Sequence, residues 1–155
     1  ERIAKLYAIK GNQTPDELHK KLGNIMWENV GMSRTAESLT RAIAEIKALR
    51  KEFWSDLQLS GTRFEFNQEL EKALRLADFL EMGELMARDA LNRNESCGGH
   101  FRAEYQTPEG EALRDDEHYT YVAVWEYKGE DKEPVLHKEP LAFQTIHLSQ
   151  RNYKD

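Results

Sequence analysis

Residues 67–93, NQELEKALRLADFLEMGELMARDALNR, decide the fold. Leu70, Leu74, Ala77, Leu80, Leu85 and Leu91 follow the helical repeat that gathers apolar side chains on one face. Asn67 stands just ahead of the run, where a side-chain oxygen caps a first turn. The pattern predicts one long helix ending near Arg93, and such a helix needs partners to cover its apolar stripe.

The same signature occurs twice upstream. Leu39, Ile43, Ile46, Leu49, Phe53 and Leu57 share a face behind Ser33 or Thr35 as cap, and Ser60-Gly61 marks the expected stop. Thr14-Pro15-Asp16-Glu17 supplies a cap, a proline at the first helical position and acidic first-turn residues; Leu18, Leu22, Ile25, Met26 and Val30 follow, and Gly31 closes the helix. Glu1 to Ile9 reads as the end of a further helix, stopped by Gly11. Three striped helices with short connections cover one another by packing as a bundle.

Downstream of Cys97-Gly98-Gly99 the period changes. Tyr119 to Tyr127 is rich in β-branched and aromatic residues and reads as a strand. Gly129 to Pro134 forms a polar turn, and Val135 to Glu139 is a second extended run, so a hairpin is expected. Two strands alone bury too little to be stable in water, so one face needs a surface to pack on. Leu141 to Lys154 is expected to be extended or irregular. The expected fold is mainly α: an antiparallel, spectrin-repeat-like three-helix bundle over residues 1–96. A Gly-Gly turn, a β-hairpin and an extended C-terminal tail follow over 97–155 and pack on the bundle as one structural domain.

Composition narrows the function classes. Lys and Arg number 22 against 28 Asp and Glu, a formal net charge of −6, which disfavours a nucleic-acid groove or an anionic membrane surface as the main partner. No apolar run approaches the ~20 residues that span a bilayer. Cys97 is the single cysteine, so no intramolecular disulfide framework is possible, and a lone thiol leans towards a reducing compartment. No glycine-rich phosphate loop, dinucleotide fingerprint or nucleophile elbow is present in the sequence, which disfavours a self-sufficient enzyme of familiar type.

The segment from Asn92 to Arg102, NRNESCGGHFR, is the most unusual locally. One reading makes Glu95 and His100 an acid/base pair with Arg102 as anion clamp, the chemistry of a small hydrolase or isomerase. The other is a capped helix end whose polar side chains bond to the following loop or to a neighbouring domain. Cys97 and His100 are too few for a zinc site, and His19, His118, His137 and His147 lack ligand spacing. Arg114, Asp115, Asp116 and Glu117 read as a solvated charge run or an ion-pair network at the strand start.

Several segments together resemble the C-terminal part of succinate dehydrogenase and fumarate reductase flavoprotein subunits. They are Asn92 to Arg102, Tyr105-Gln106-Thr107, Gly110-Glu111-Ala112, Arg114-Asp115-Asp116 and Val124-Trp125-Glu126-Tyr127. The likeness extends to His19 to Gly23, Ile25-Met26-Trp27, Val30-Gly31-Met32, Leu85 to Leu91, Val135 to Glu139 and Gln150 to Lys154, nearly the whole chain. Where the wider family usually reads Glu-Ser-Arg-Gly-x-His, this chain has Cys97 in place of arginine.

The resemblance implies a fragment of a larger enzyme that interconverts succinate and fumarate at FAD and exchanges electrons with quinone through an iron-sulfur subunit. FAD and the catalytic residues are expected upstream, with no catalytic, cofactor-binding or metal residue in this chain. Glu95, Ser96, His100, Arg102, Arg114, Asp115 and Asp116 are the candidates for docking against the upstream FAD-binding domain. Partners implied are that domain, an iron-sulfur subunit and a membrane anchor subunit. Nucleic acid and a direct membrane span are not expected, and the parent complex would lie on the cytoplasmic face of the inner membrane. A free-standing helical interaction module is the alternative, because fold does not fix function.

Overall fold

The computed structural model describes residues 1–62, 64–129 and 132–149. Positions 130 and 131 of the expected turn, and the segment Gln150 to Lys154, lie outside the described residues. The helices are α1 (Arg2–Ala8), α2 (Pro15–Val30), α3 (Ala36–Asp56), α4 (Gln68–Asn92) and the single turn α5 (Asp116–Tyr119); strands β1 (Tyr121–Glu126) and β2 (Val135–Pro140) follow. The chain divides into two units, Glu1–Asn92 and Arg93–Asp155.

In the helical unit the expected caps form. Thr14 and Glu17 make a reciprocal capping box: the Thr14 hydroxyl accepts from the Glu17 N–H at 3.3 Å, and the Glu17 carboxylate accepts from the Thr14 N–H at 2.8 Å. That backbone bond, foremost, holds the Glu17 carboxyl below its usual range. Thr35, not Ser33, caps α3, paired with Ser38. Asn67 caps α4, accepting from the N–H groups of Glu69 at 2.9 Å and Leu70 at 3.3 Å.

Contacts join α2, α3 and α4 pairwise. Lys21 meets Glu52 and Asn29 meets Arg41, so α2 and α3 run antiparallel; Arg50 meets Glu81 and Lys47 meets Glu84, so α3 and α4 do too. Asp16 pairs with Lys72 and His19 stacks near Phe79, so α4 runs alongside α2 in the same direction. The core holds Leu18, Leu22, Leu39, Ile46, Phe53, Leu57 and Leu80, as the spacing predicts. On α4, however, the deeply buried positions are mostly small: Ala73, Ala77, Ala87 and Ala90, with Leu76 and Leu80. Leu70, Leu74, Leu85 and Leu91 sit at its half-buried margin. Small side chains let the helices approach closely, which apolar spacing alone does not reveal.

α3 ends at Asp56 rather than at Ser60-Gly61. The chain turns extended at Leu57, which pairs with Gln13, while Asp56 accepts from the N–H groups of Asn12 and Gln13. Gly11 lies so close to this turn that an added Cβ would fall 1.9 Å from the Asp56 carbonyl carbon. Charge is also folded inward: Glu84, largely buried, accepts from Arg50 and Arg88 and has Lys47 at 3.9 Å.

In the second unit β1 and β2 pair antiparallel, with Tyr121 opposite Pro140 and Glu126 opposite Val135. Tyr121, Ala123 and Trp125 alternate inward while Val122, Val124 and Glu126 stay exposed. β1 starts at Tyr121 rather than Tyr119 because Asp115 caps the turn of α5, accepting from the His118 N–H at 3.2 Å. Residues 141–149 form no helix or strand. Among the described residues no helix is long and apolar enough to cross a membrane.

Two glycine substitutions test this packing in opposite directions. Gly11→Ala should destabilise the chain, because the new methyl meets backbone that cannot swing away. Gly23→Ala, in open space within α2, should stabilise it by about 0.5–1 kcal/mol. Urea unfolding of both variants reads the two signs.

Candidate functional site

Helix α4 ends at Asn92, and residues 93–102 fold back on themselves. Glu95 is only 2% exposed; its carboxylate accepts from Arg93 Nε at 2.8 Å and from the Asp115 backbone N–H at 2.9 Å. A buried carboxylate is tolerable only when paired and hydrogen-bonded in this way. Arg93 also donates to the Tyr119 carbonyl at 2.6 Å and lies over the rings of Tyr119 and Tyr121. One arginine therefore ties the start of this loop to the start of the hairpin.

Ser96 has no exposed surface. Its N–H donates to the Leu113 carbonyl at 2.8 Å, and its hydroxyl accepts from the Arg102 N–H at 2.9 Å and donates to the Arg102 carbonyl at 3.1 Å. Cys97 and His100 exchange backbone bonds of 2.8 and 3.0 Å around the exposed tip Gly98-Gly99. Gly98 has φ +59° with nothing within 4 Å of an added Cβ, so glycine serves the backbone conformation and not the available space. The His100 ring donates from Nε2 to the Arg93 carbonyl at 2.9 Å, because a carbonyl can only accept. The Arg102 guanidinium is buried, donates to Glu104 at 3.2 Å and stacks over Tyr105.

The remaining predicted residues lie at the rim. Arg114 donates to Asp116 at 3.0 and 2.6 Å and to the Ser149 carbonyl at 2.7 Å, and the Asp116 contact raises its pKa further. His118 Nδ1 lies 2.9 Å from both Asp115 oxygens; this bond raises the His118 pKa and lowers that of Asp115. The structure thus gathers Glu95, Ser96, His100 and Arg102 into one braced loop, with Arg114, Asp115 and Asp116 beside it. Arg93, Tyr105 and the Leu113 carbonyl complete the brace. Only the charge of Arg93, two residues before Glu95, signals its part in the sequence.

Chemically the cluster holds backbone in place. Both Glu95 oxygens are engaged within the unit and His100 Nε2 donates to a carbonyl.

Comparison with known proteins agrees with the architecture. The family model described as fumarate reductase flavoprotein C-term matches residues 19–153. The chain belongs to this family. Among its relatives, the fumarate reductase flavoprotein subunit of Haemophilus influenzae is 26% identical over 152 residues, 98% of this chain and 24% of the relative. The succinate dehydrogenase flavoprotein subunit of Bacillus subtilis is 24% identical over 153 residues, 99% of this chain and 25% of the relative. A solved quinol fumarate reductase chain from E. coli superposes with a TM-score of 0.81 at 25% identity, covering 96% of this chain and 24% of its own. The family domain thus spans about a quarter of the length of these relatives.

Two outcomes test the brace. Glu95→Ala leaves the Arg93 guanidinium and the Asp115 N–H without their acceptor and should cost about 3–5 kcal/mol; native-state hydrogen exchange at Asp115 and Leu113 reads the loss. The His118 pKa is raised, so the contribution of its pair with Asp115 is complete below the unfolded histidine value and fades as pH rises through the folded one. NMR titration should place His118 above an ordinary histidine, and Asp115→Asn, which can still cap the turn, should return it to the ordinary range.

Proposed function

We propose that this chain is the C-terminal domain of a flavoprotein subunit that interconverts succinate and fumarate. FAD and the reacting groups belong to the part of the polypeptide that precedes it. Electrons pass to or from quinone through an iron-sulfur subunit held at the cytoplasmic face of the inner membrane by an anchor subunit. Both units belong to this one domain, whose role is to support and dock, not to catalyse.

One observation carries the supporting role: the ionisable residues of the loop are turned inward while the apolar residues around them are turned outward. Val122, Val124, Tyr127, Leu141, Phe143, Ile146 and Leu148 are all exposed, although Glu95, Ser96 and Arg102 are buried. That is the surface of a domain made to be covered, and it inverts what a self-contained active site needs. On this reading Glu95, Ser96, His100 and Arg102 keep the loop rigid. Arg114, Asp115 and Asp116, nearer the surface, meet the flavin-binding part.

Antibody capture of the polypeptide from its native cells tests the proposal, with intact mass and acid-stable flavin fluorescence as readouts. A chain about four times longer than this one, fluorescent and accompanied by an iron-sulfur protein, is the expected result. A captured chain of 18.1 kDa without flavin would overturn it. The 155-residue polypeptide alone should neither bind FAD nor oxidise succinate, as flavin titration and a dye-reduction assay would show.

A further inference from the structure

α4 carries an apolar stripe that its own bundle leaves uncovered. Phe79, Met82 and Met86 follow one another at three- and four-residue steps and are 42%, 56% and 51% exposed; Trp27 on α2 is 84% exposed. The stripe lies on the side of α4 that borders α2: the Phe79 ring stands 5.5 Å from that of His19, and a Cβ at Gly83 would sit 3.2 Å from the Met26 sulfur. Contiguous large apolar side chains at a surface mark a contact, and the unbranched methionines suit one that must conform to its partner.

The path of the backbone indicates the partner. Arg2 donates to Asp78 at 2.8 Å, and Leu6 is buried in the core of the helical unit, so the first turn of α1 is tied to α4 beside Phe79. Polypeptide that enters at Glu1 arrives at one end of the stripe. The relatives hold most of their length outside the region this chain matches, and the matched region is the family's C-terminal one. We infer that the Phe79–Met82–Met86 stripe is the seat of the polypeptide immediately preceding Glu1 in the full-length flavoprotein. The inference rests on the proposed assignment to a longer flavoprotein chain, and it names a docking face on the helical unit.

Hydroxyl-radical footprinting of the full-length polypeptide, purified from its native cells, tests this. Oxidation of Met82 and Met86 should be at least about fivefold slower in the native chain than in the same chain unfolded, because oxidation follows exposure. Native rates within about twofold of the unfolded ones would mean a stripe open to solvent and would overturn the inference. Protection that disappears on dilution would assign the stripe to a second copy and overturn it equally. In a second arm, Met82→Glu with Met86→Glu should leave the helical core intact, since both side chains are exposed. It should raise the rate of proteolysis near Glu1 several-fold, whereas an unchanged rate counts against the inference. Intact mass separates the two levels of the argument. A native chain without preceding polypeptide removes the proposed function itself, whereas a long flavin-bearing chain with a bare stripe removes only this docking face.

Discussion

The Glu95 carboxylate, out of water, is the constraint on which the Arg93–Asp155 unit depends. A charge at that depth has to be met by a cation and a donor, and the chain supplies Arg93 from one side and the Asp115 N–H from twenty residues away. Meeting both forces the segment between them to return to Arg93 and Glu95. Ser96 then binds Arg102 by both its backbone groups and the Leu113 carbonyl by its own N–H, and the Gly98 tip is left projecting. Beyond Asn92, Tyr121 is the one buried hydrophobic among the described residues. Polar bonds therefore do there what apolar packing does elsewhere.

The helical unit is organised on the opposite principle. Its three long helices meet through Leu, Ile, Phe and closely spaced alanines, and its charges are arranged around that core. Glu84 is the exception that shows the rule, since it is nearly buried and gathers Arg50 and Arg88 directly. The capping boxes at Thr14 and Thr35 fix where helices begin, and the Asp56 turn fixes where α3 must stop. Large apolar residues such as Phe79, Met82 and Met86 remain exposed on the outside of this unit.

Sequence periodicity made most of the helical unit legible because caps and stops are local. Thr14, Pro15, Gly31 and Asn67 act on residues within a turn of themselves, so their roles can be read without knowing the fold. The true end of α3 was not legible, because it is set by Asn12 and Gln13, more than forty positions away. The core face of α4 was legible in part: Ala77 and Leu80 follow the apolar spacing into the core, while Ala73, Ala87 and Ala90 are buried with them although alanine contributes little to an apolar pattern. In the loop, the residues singled out do lie together, but spacing could not tell which atoms they would engage. Glu95 and His100 both touch Arg93, whose part emerges only when the chain has folded back.

A unit centred on ion pairs and backbone bonds removes little hydrocarbon from water, and the heat capacity of unfolding scales with that area. The loop and hairpin therefore open with a shallow dependence on temperature, while the leucine-lined helical unit has the curved stability profile of an apolar core. Ionic strength acts in the reverse order, weakening surface pairs such as that of Arg114 with Asp116 and sparing buried contacts. Heat and salt thus address different halves of the same polypeptide.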